Sequence, residues 1–319
     1  MKGKTKEVAM RSFMCFVAAI AMTTGIAFAE YPEKPIDVLV PFGGGSGPDA
    51  SFRMLQPDLE EILGQPMVVR NVGGAGGTVG AAQFAGHAKD GYKLGFMPVG
   101  TTTTQPHLRK VPYSDKSFAP ICMTIQDPMA VGVSPDSGLN RLDDLINKAK
   151  AGTVTSGGPP PGSLPHIGQA ALAAAYGVKF KYVPHKGGHG AAKSILGGKV
   201  DVLVDPLGST LNYGLKPLAV LNGERLPAAP DVPTIDELGG KPLRYSIWFG
   251  LFAPAGTLEP ILDKLGQACE AATKTERYKR TVKKSGRTPR FMNRAEFTAF
   301  FAQQYKDNAA LLEVVGLKK

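Results

Sequence analysis

The strongest constraint on the fold is a set of short apolar runs that do not alternate: IDVLVPF (36–42), MVVRN (67–71), KLGFMPV (93–99), AVGVSP (130–135), KFKYVPH (179–185), VDVLVD (200–205), PLAVLN (217–222) and FGLFAP (249–254). A strand with one face in water alternates apolar and polar residues, whereas a strand covered on both faces is apolar throughout. Segments of helical period separate these runs. NRLDDLINKAK places Leu142, Leu145, Ile146 and Ala149 on one stripe, with Asn140 expected as the N-cap and Asp143 in the first turn. TIDELGG sets Thr234 and Glu237 at capping-box spacing and closes on Gly239. The pattern predicts an α/β fold, with helices on both faces of mainly parallel sheets.

The first 29 residues read differently. Lys2, Lys4, Lys6 and Arg11 precede an apolar stretch that starts near Phe13 and ends in Ala27-Phe28-Ala29. A basic start, an apolar middle and a small-x-small site make a secretory signal peptide, expected to be cleaved near Ala29. Thr23, Thr24 and Gly25 interrupt a stretch already short for a membrane span, and Cys15 lies too far from the cleavage site to anchor a lipid. The remaining chain of roughly 290 residues exceeds one compact core, so two lobes are expected. No flexible linker joins them. The chain is expected to cross between lobes at ICMTIQDP (121–128) and LAVLNGER (218–225), giving one discontinuous lobe of 30–124 with 223–319 and a second of 125–222. A chain that crosses and returns leaves a cleft between rigid bodies, where small ligands bind and hinge closure is the usual motion.

Losing the leader, with its four basic residues and Glu7, lowers the formal charge from +10 to +7. The basic residues concentrate in TKTERYKRTVKKSGRTPR, which reads as the solvated face and end of a helix; without aromatic stacking platforms or a zinc module, nucleic acid is not expected as a partner. Of the two remaining cysteines, Cys269 shares a helical stripe with Leu262, Leu265 and Ala272, so a buried free thiol is the default. A bond to Cys122 is permitted in an oxidising compartment but is not the first expectation.

Three glycine-rich loops follow apolar runs. In PFGGGSGPDA (41–50), Gly45-x-Gly47-x-x-Ala50 formally matches a dinucleotide fingerprint, and Arg70 ends the next strand where a 2′-phosphate would sit. Pro48 removes one N–H from such a cradle and an exported protein lacks a nicotinamide supply, so no cofactor is expected. Converging N–H groups at a helix start suit a carboxylate equally well. Asp49 has two open readings, N-cap of the helix carrying Phe52, Leu55 and Leu59, or ligand contact, and Pro57 is expected to kink that helix. NVGGAGGTVGAA (71–82) reads equally as a tight turn or a ligand loop. TSGGPPPGSLPHIGQAA (155–171) offers Ser156, Gly157, Gly158, Ser163 and His166 on a proline-stiffened loop. His166 acting as base for Ser163 would make an exported hydrolase, but no G-x-S-x-G elbow or orienting carboxylate accompanies them, so a cap or a donor to ligand is preferred. His166, His185 and His189 lack partners at metal-ligand spacing. Asp205 ends VDVLVD at a strand's C-terminal edge, where open α/β sheets place ligand-binding groups; an exposed turn residue is the alternative.

In order, YPEKPIDVLVPF, GGAGGTVGA, KDGYKLG (89–95), PYSDKSFAPI, GSLPH (162–166), HKGGHGAAKSILGGKVDVLVD (185–205), APDVPTIDELG (229–239) and WFGLFAPAGT (248–257) make the chain resemble a Bug-type solute-binding protein of the tripartite tricarboxylate transporter family. The resemblance implies a two-lobed periplasmic flytrap of type II that is not an enzyme, acts as a monomer without cofactor or metal, and hands a small carboxylate to membrane transporter subunits. An orphan sensor feeding a receptor is the alternative partner reading. It also implies that loops from the two lobes pinch one carboxylate, here Phe42, Gly43, Gly44, Gly45, Ser46 and Asp49 against Ser156, Gly157, Ser163 and His166, with Asp205 nearby and Thr101 and Thr102 on the cleft wall. The chain departs from the family where Gly43 and Gly44 replace common prolines, at Gly47-Pro48, at Arg70 in place of an acidic residue, and at His185 in place of tyrosine.

Overall fold

The run at 36–40 becomes β1 (Ile36–Val40), which lies between β2 (Met67–Asn71) and β3 (Lys93–Pro98) and is parallel to both. The structure is a computed structural model that describes residues 31–319 apart from Pro160, 240–242 and Lys319. The expected leader, its cleavage site near Ala29 and Cys15 lie outside the described residues. A second parallel group, β7 (Val202–Pro206), β5 (Val154–Gly158) and β6 (Phe180–Pro184), repeats the pattern. Between the groups stand antiparallel strands. β3 pairs with β9 (Ser246–Pro254), and β9 with β4 (Phe118–Val133).

β4 joins the two halves. Its stretch from Phe118 to Pro128 pairs with β9, and Met129–Val133 pairs with β7 while Ala130–Val133 also pairs with β8 (Lys216–Val220). β10 (Pro289–Met292) adds to β4 on the β9 side. Sequence divided β4 into a crossing and a separate strand at 130–135, because Pro120, Thr124, Gln126 and Asp127 break the apolar run. β5 escaped notice because VTSGG reads as a turn; only burial between β6 and β7 makes it a strand.

The helices are α1 (Gly47–Leu63), α2 (Thr78–Ala85), α3 (Gln105–Leu108), α4 (Leu142–Ala151), α5 (Leu164–Tyr176), α6 (Gly188–Leu196), α7 (Leu207–Asn212), α8 (Glu259–Lys274), α9 (Glu276–Lys284) and α10 (Arg294–Val314). They cover two separate apolar cores. One gathers Phe84, Phe118, Trp248, Phe252, Phe297 and Phe301. The other gathers Val131, Leu145, Val154, Leu172, Val202, Ile235 and Tyr245, and also takes Leu312 from the far end of α10. The fold is two-lobed, and α10 is a further element that reaches both cores.

Several local expectations are corrected. Cys269 is buried on its stripe, but its sulfur is bonded to Cys122 across 147 residues. Spacing could not reveal this, since packing of α8 against β4 brings the sulfurs together. A crosslink of that span removes enough unfolded-chain entropy to stabilise the fold by about 5 kcal/mol at most. Asn140 is not the N-cap of α4. Arg141 holds that position, and the Asp144 carboxylate accepts from both the Asn140 and Arg141 N–H groups (2.8 and 2.9 Å). Thr234 and Glu237 form their reciprocal bonds (2.8 and 3.2 Å), yet the segment stays a turn, ending at Gly239 in left-handed conformation. α1 passes through Pro57 without interruption.

Candidate functional site

β1 feeds directly into the first glycine loop, where Gly45 takes a left-handed φ of 76° and the Ser46 N–H donates to the Gly43 carbonyl (3.2 Å). Gly43, Gly44 and Gly45 are exposed, with open space where side chains would stand at Gly43 and Gly45. Asp49 does not cap α1. Pro48, whose ring presets a helical φ, lies in the first turn, so the helix begins at Gly47 with Ser46 as its N-cap. The Asp49 carboxylate, 1% exposed, instead accepts from the Gly45 N–H (2.8 Å), Asn71 Nδ2 (3.0 Å) and Arg53 Nε (3.0 Å). Burial by itself would raise its pKa, but Arg53, the Gly45 N–H and Asn71 together hold it below the ordinary carboxylate value. Asn71 also donates to the Phe42 carbonyl (3.0 Å). Ser46 Oγ is buried with no partner among the described residues, and Phe42, four residues earlier, is half-buried.

Gly47 has a packing reason that sequence did not supply. A Cβ there would stand 3.2 Å from Arg287 Nη2. Arg287 donates through Nη1 to Asp127 Oδ2 (2.8 Å) and through Nη2 to the Gly47 carbonyl (3.4 Å), with its guanidinium 4.9 Å from the Phe249 ring centroid. Asp127 also accepts the Thr288 N–H (2.7 Å). Burial still pushes the Asp127 carboxyl above its usual pKa. Arg287 thus ties the start of α1 to β4, beside the point where β4 changes partners.

The second glycine loop packs on the turn after β3. Thr101 Oγ1 donates to the Gly76 carbonyl (3.1 Å), and a Cβ at Gly77, where φ is 88°, would stand 2.4 Å from that oxygen. Thr101 and Thr102 lie in a π-turn at Gly100–Thr104 and are buried; the Thr102 hydroxyl donates to the Pro98 carbonyl (3.2 Å). Their hydroxyls face backbone carbonyls, which fixes the turn.

On the other lobe, Ser156 and Gly157 are buried on β5, and Gly157 is hemmed in by Val200, Ala191 and His185. Ser163 is the N-cap of α5, its Oγ accepting the His166 N–H (3.4 Å). His166 Nδ1 accepts the Gly162 N–H (3.1 Å), which leaves the ring proton on Nε2. Burial lowers the His166 pKa, so the ring is neutral at pH 7. Tyr182 packs edge-on against His166, with ring centroids 4.3 Å apart, and its hydroxyl donates to the Pro159 carbonyl and also bonds Ser163. Asp205 is the penultimate residue of β7, buried rather than in an exposed turn. Leu164 packs against both cores and lies 3.4 Å from the position of a Cβ at Gly100, so the start of α5 abuts the 100–104 turn of the first lobe.

This arrangement suits binding. The Ser163 oxygen serves as a cap and His166 Nδ1 is held by a backbone N–H, so neither is set for nucleophilic attack. Exposed glycines before a helix start and a neutral imidazole N–H are each groups that suit an anion. Asn71, Asp127, Tyr182 and Arg287 were missed in the sequence. Each acts through a partner remote in the chain, and Asn71 alone had a local signal, a polar residue ending a strand before a glycine loop.

A two-lobed fold with glycine loops at the C-terminal edges of both parallel strand groups defines a solute-binding protein. The sequence matches the tripartite tricarboxylate transporter family receptor, TctC, over residues 51–317. The chain belongs to this family of Bug-type receptors, which bind solutes and are not enzymes. It is 32% identical to a UPF0065 protein of Agrobacterium vitis over 285 residues, covering 86% of this chain and 82% of that one. The structure of a TctC solute-binding protein from Polaromonas matches with a TM-score of 0.81 and 27% identity over 89% of this chain and 99% of that one. MatC of Rhodopseudomonas palustris, solved with bound malate, matches with a TM-score of 0.71 and 26% identity over 89% and 100% of the two chains.

Proposed function

We propose that this receptor captures a small carboxylate, a di- or tricarboxylate or an aromatic or amino acid, between its lobes and delivers it to a membrane transporter of the tripartite tricarboxylate type. The observation that carries the reading is the exposed run Gly43–Gly45 just before α1, where Asp49 takes the Gly45 N–H and braces the loop while the Gly43 and Gly44 N–H groups make no hydrogen bond among the described residues. Charge-assisted bonds from such donors are shorter and stronger than neutral ones. The malate held by MatC supports a carboxylate as the ligand class.

In this reading Phe42, Gly43, Gly44, Gly45 and Ser46 form the first jaw with Asp49 as its brace, and Ser156, Gly157, Ser163 and His166 form the second, with Asp205 beyond them. Thr101 and Thr102 shape the wall between. The lobes are 30–124 with 223–319, and 125–222, with Ile235 and Tyr245 of the returning segment packed on the second core. The mature protein is exported, with its leader cleaved near Ala29, and works in the periplasm as a monomer without cofactor. None of the described helices is long and apolar enough to cross a membrane.

A thermal-shift panel of mono-, di- and tricarboxylates, aromatic acids and amino acids tests the proposal. At 100 times its dissociation constant, a ligand should stabilise the protein by about 2.7 kcal/mol. Carboxylates that leave the midpoint unmoved, while sugars or cations raise it, would overturn the carboxylate reading. Ester or amide turnover that vanishes in Ser163→Ala would restore the hydrolase.

A further inference from the structure

Asp205 is 5% exposed, yet among the described residues no hydrogen bond reaches its carboxylate and no cation acts on it. Other buried or half-buried carboxylates differ. Asp49 has three donors, Asp127 has Arg287 and the Thr288 N–H, and Asp201 has the Thr155 N–H and hydroxyl with Lys148. Burial without compensation pushes the Asp205 pKa to about 7. A buried carboxyl without a partner costs stability.

Its location suggests what completes it. Asp205, the penultimate residue of β7, lies at the C-terminal edge shared with β5 and β6, the edge that also carries the Ser163–His166 loop. A Cβ at Gly188, the first residue of α6, would stand 2.6 Å from Asp205 Oδ2 and 3.0 Å from the Tyr213 hydroxyl, so glycine alone leaves the carboxyl room. Tyr182, which bonds Ser163, feels the charge of Asp205. Arg53 pairs with Asp49 and Arg287 with Asp127, and burial keeps His166 neutral at pH 7. A ligand carboxylate in the first jaw would add a second negative charge to a site with no cation of its own.

Building on the carboxylate reading above, we propose that Asp205 receives a cationic amino group carried by the same ligand, so that the preferred solutes are amino-acid zwitterions. The ligand ammonium then balances Asp205, while its carboxylate takes the glycine amides. A hydroxyl would fill a lone pair but leave the charge unbalanced.

Calorimetric titration of the protein at pH 8 with matched pairs tests this: aspartate against succinate, glutamate against glutarate, and phenylalanine against 3-phenylpropionate. At least one amino acid should bind ten-fold or more tightly than its desamino partner. Asp205→Asn should abolish that preference. Desamino acids binding as tightly as their partners, or with uptake of one proton, would overturn the proposal and leave the carboxylate reading standing. A preference that survives in Asp205→Asn would do the same. Failure of every carboxylate would overturn both. The wild-type comparison decides by itself should the variant not fold.

Discussion

On the β1 side of the site, Asp49 gives its carboxylate to Gly45, Asn71 and Arg53, and Arg287 ties Gly47 to Asp127 on β4. On the β5 side, the Asp205 carboxylate receives no hydrogen bond and His166 Nε2 has no partner among the described residues. In the first jaw the Asp49 carboxylate is satisfied internally, Ser46 Oγ is left without a partner, and the Gly43–Gly45 backbone is exposed. The second keeps side-chain capacity in reserve. Backbone amides recognise a carboxylate whatever chain bears them, whereas side chains can be exchanged without rebuilding a loop. The contrast suggests a division of labour, in which the first jaw holds the group common to all ligands and the second reads the remainder.

If that division holds, damage to the first jaw should be severe and indifferent to ligand identity. Asp49→Ala removes the acceptor shared by Gly45, Asn71 and Arg53, and should cost about 2 kcal/mol of stability, since Arg53 remains half in water. Affinity for every carboxylate should fall about 100-fold, or roughly 2.7 kcal/mol by calorimetry. A loss confined to one ligand class would break the comparison.

Arg287 acts one step further back. Arg287→Gln leaves Asp127 buried without its cation and should lower stability by about 2 kcal/mol in a thermal or urea melt. Adding Asp127→Asn should recover much of that loss, because the buried charge goes with its partner. Affinity should change less than ten-fold, evenly across ligands. A ligand-selective change would make Arg287 part of the reading surface and not of the brace.

How much of this was legible follows from how far each signal travels along the chain. β1, β3 and β7 were readable because burial on both faces writes itself into consecutive residues, and β2 and β6 through their valines and aromatics although they are half-exposed. The glycine loops were readable for the same reason, being local. The role of Asp49 was not, since a carboxylate at the start of a helix looks alike whether it caps its own N–H groups or reaches back to Gly45 and across to Asn71. Gly47 looked like an unexplained departure until Arg287, 240 residues away, appeared against it. The Cys122–Cys269 bond belongs with these, because only the packing of α8 on β4 makes it possible.

The second jaw should yield the smallest and most selective effect. His166→Gln keeps a hydrogen-bond donor but loses the imidazole N–H held in place by Gly162, and should weaken binding about ten-fold, near 1.4 kcal/mol, by amounts that differ between ligands. The pH dependence separates a ligand contact from a purely structural role. Burial lowers the folded pKa of His166 below the unfolded value of about 6.5, so the folded state prefers the neutral ring. Its contribution to stability is therefore complete above about pH 6.5 and declines as the pH falls toward the folded value, since the unfolded chain takes up the proton first. His166→Gln should flatten that slope in melts recorded from pH 7 downward. In Asp205→Asn, where that carboxyl no longer titrates, affinity should stay level from pH 7 to 8.5, where the His166 ring is already neutral. If the slope flattens but affinity is unchanged for every ligand, His166 braces its loop as Asp49 braces the other, and the reading of distinct ligands must lie elsewhere on the second jaw.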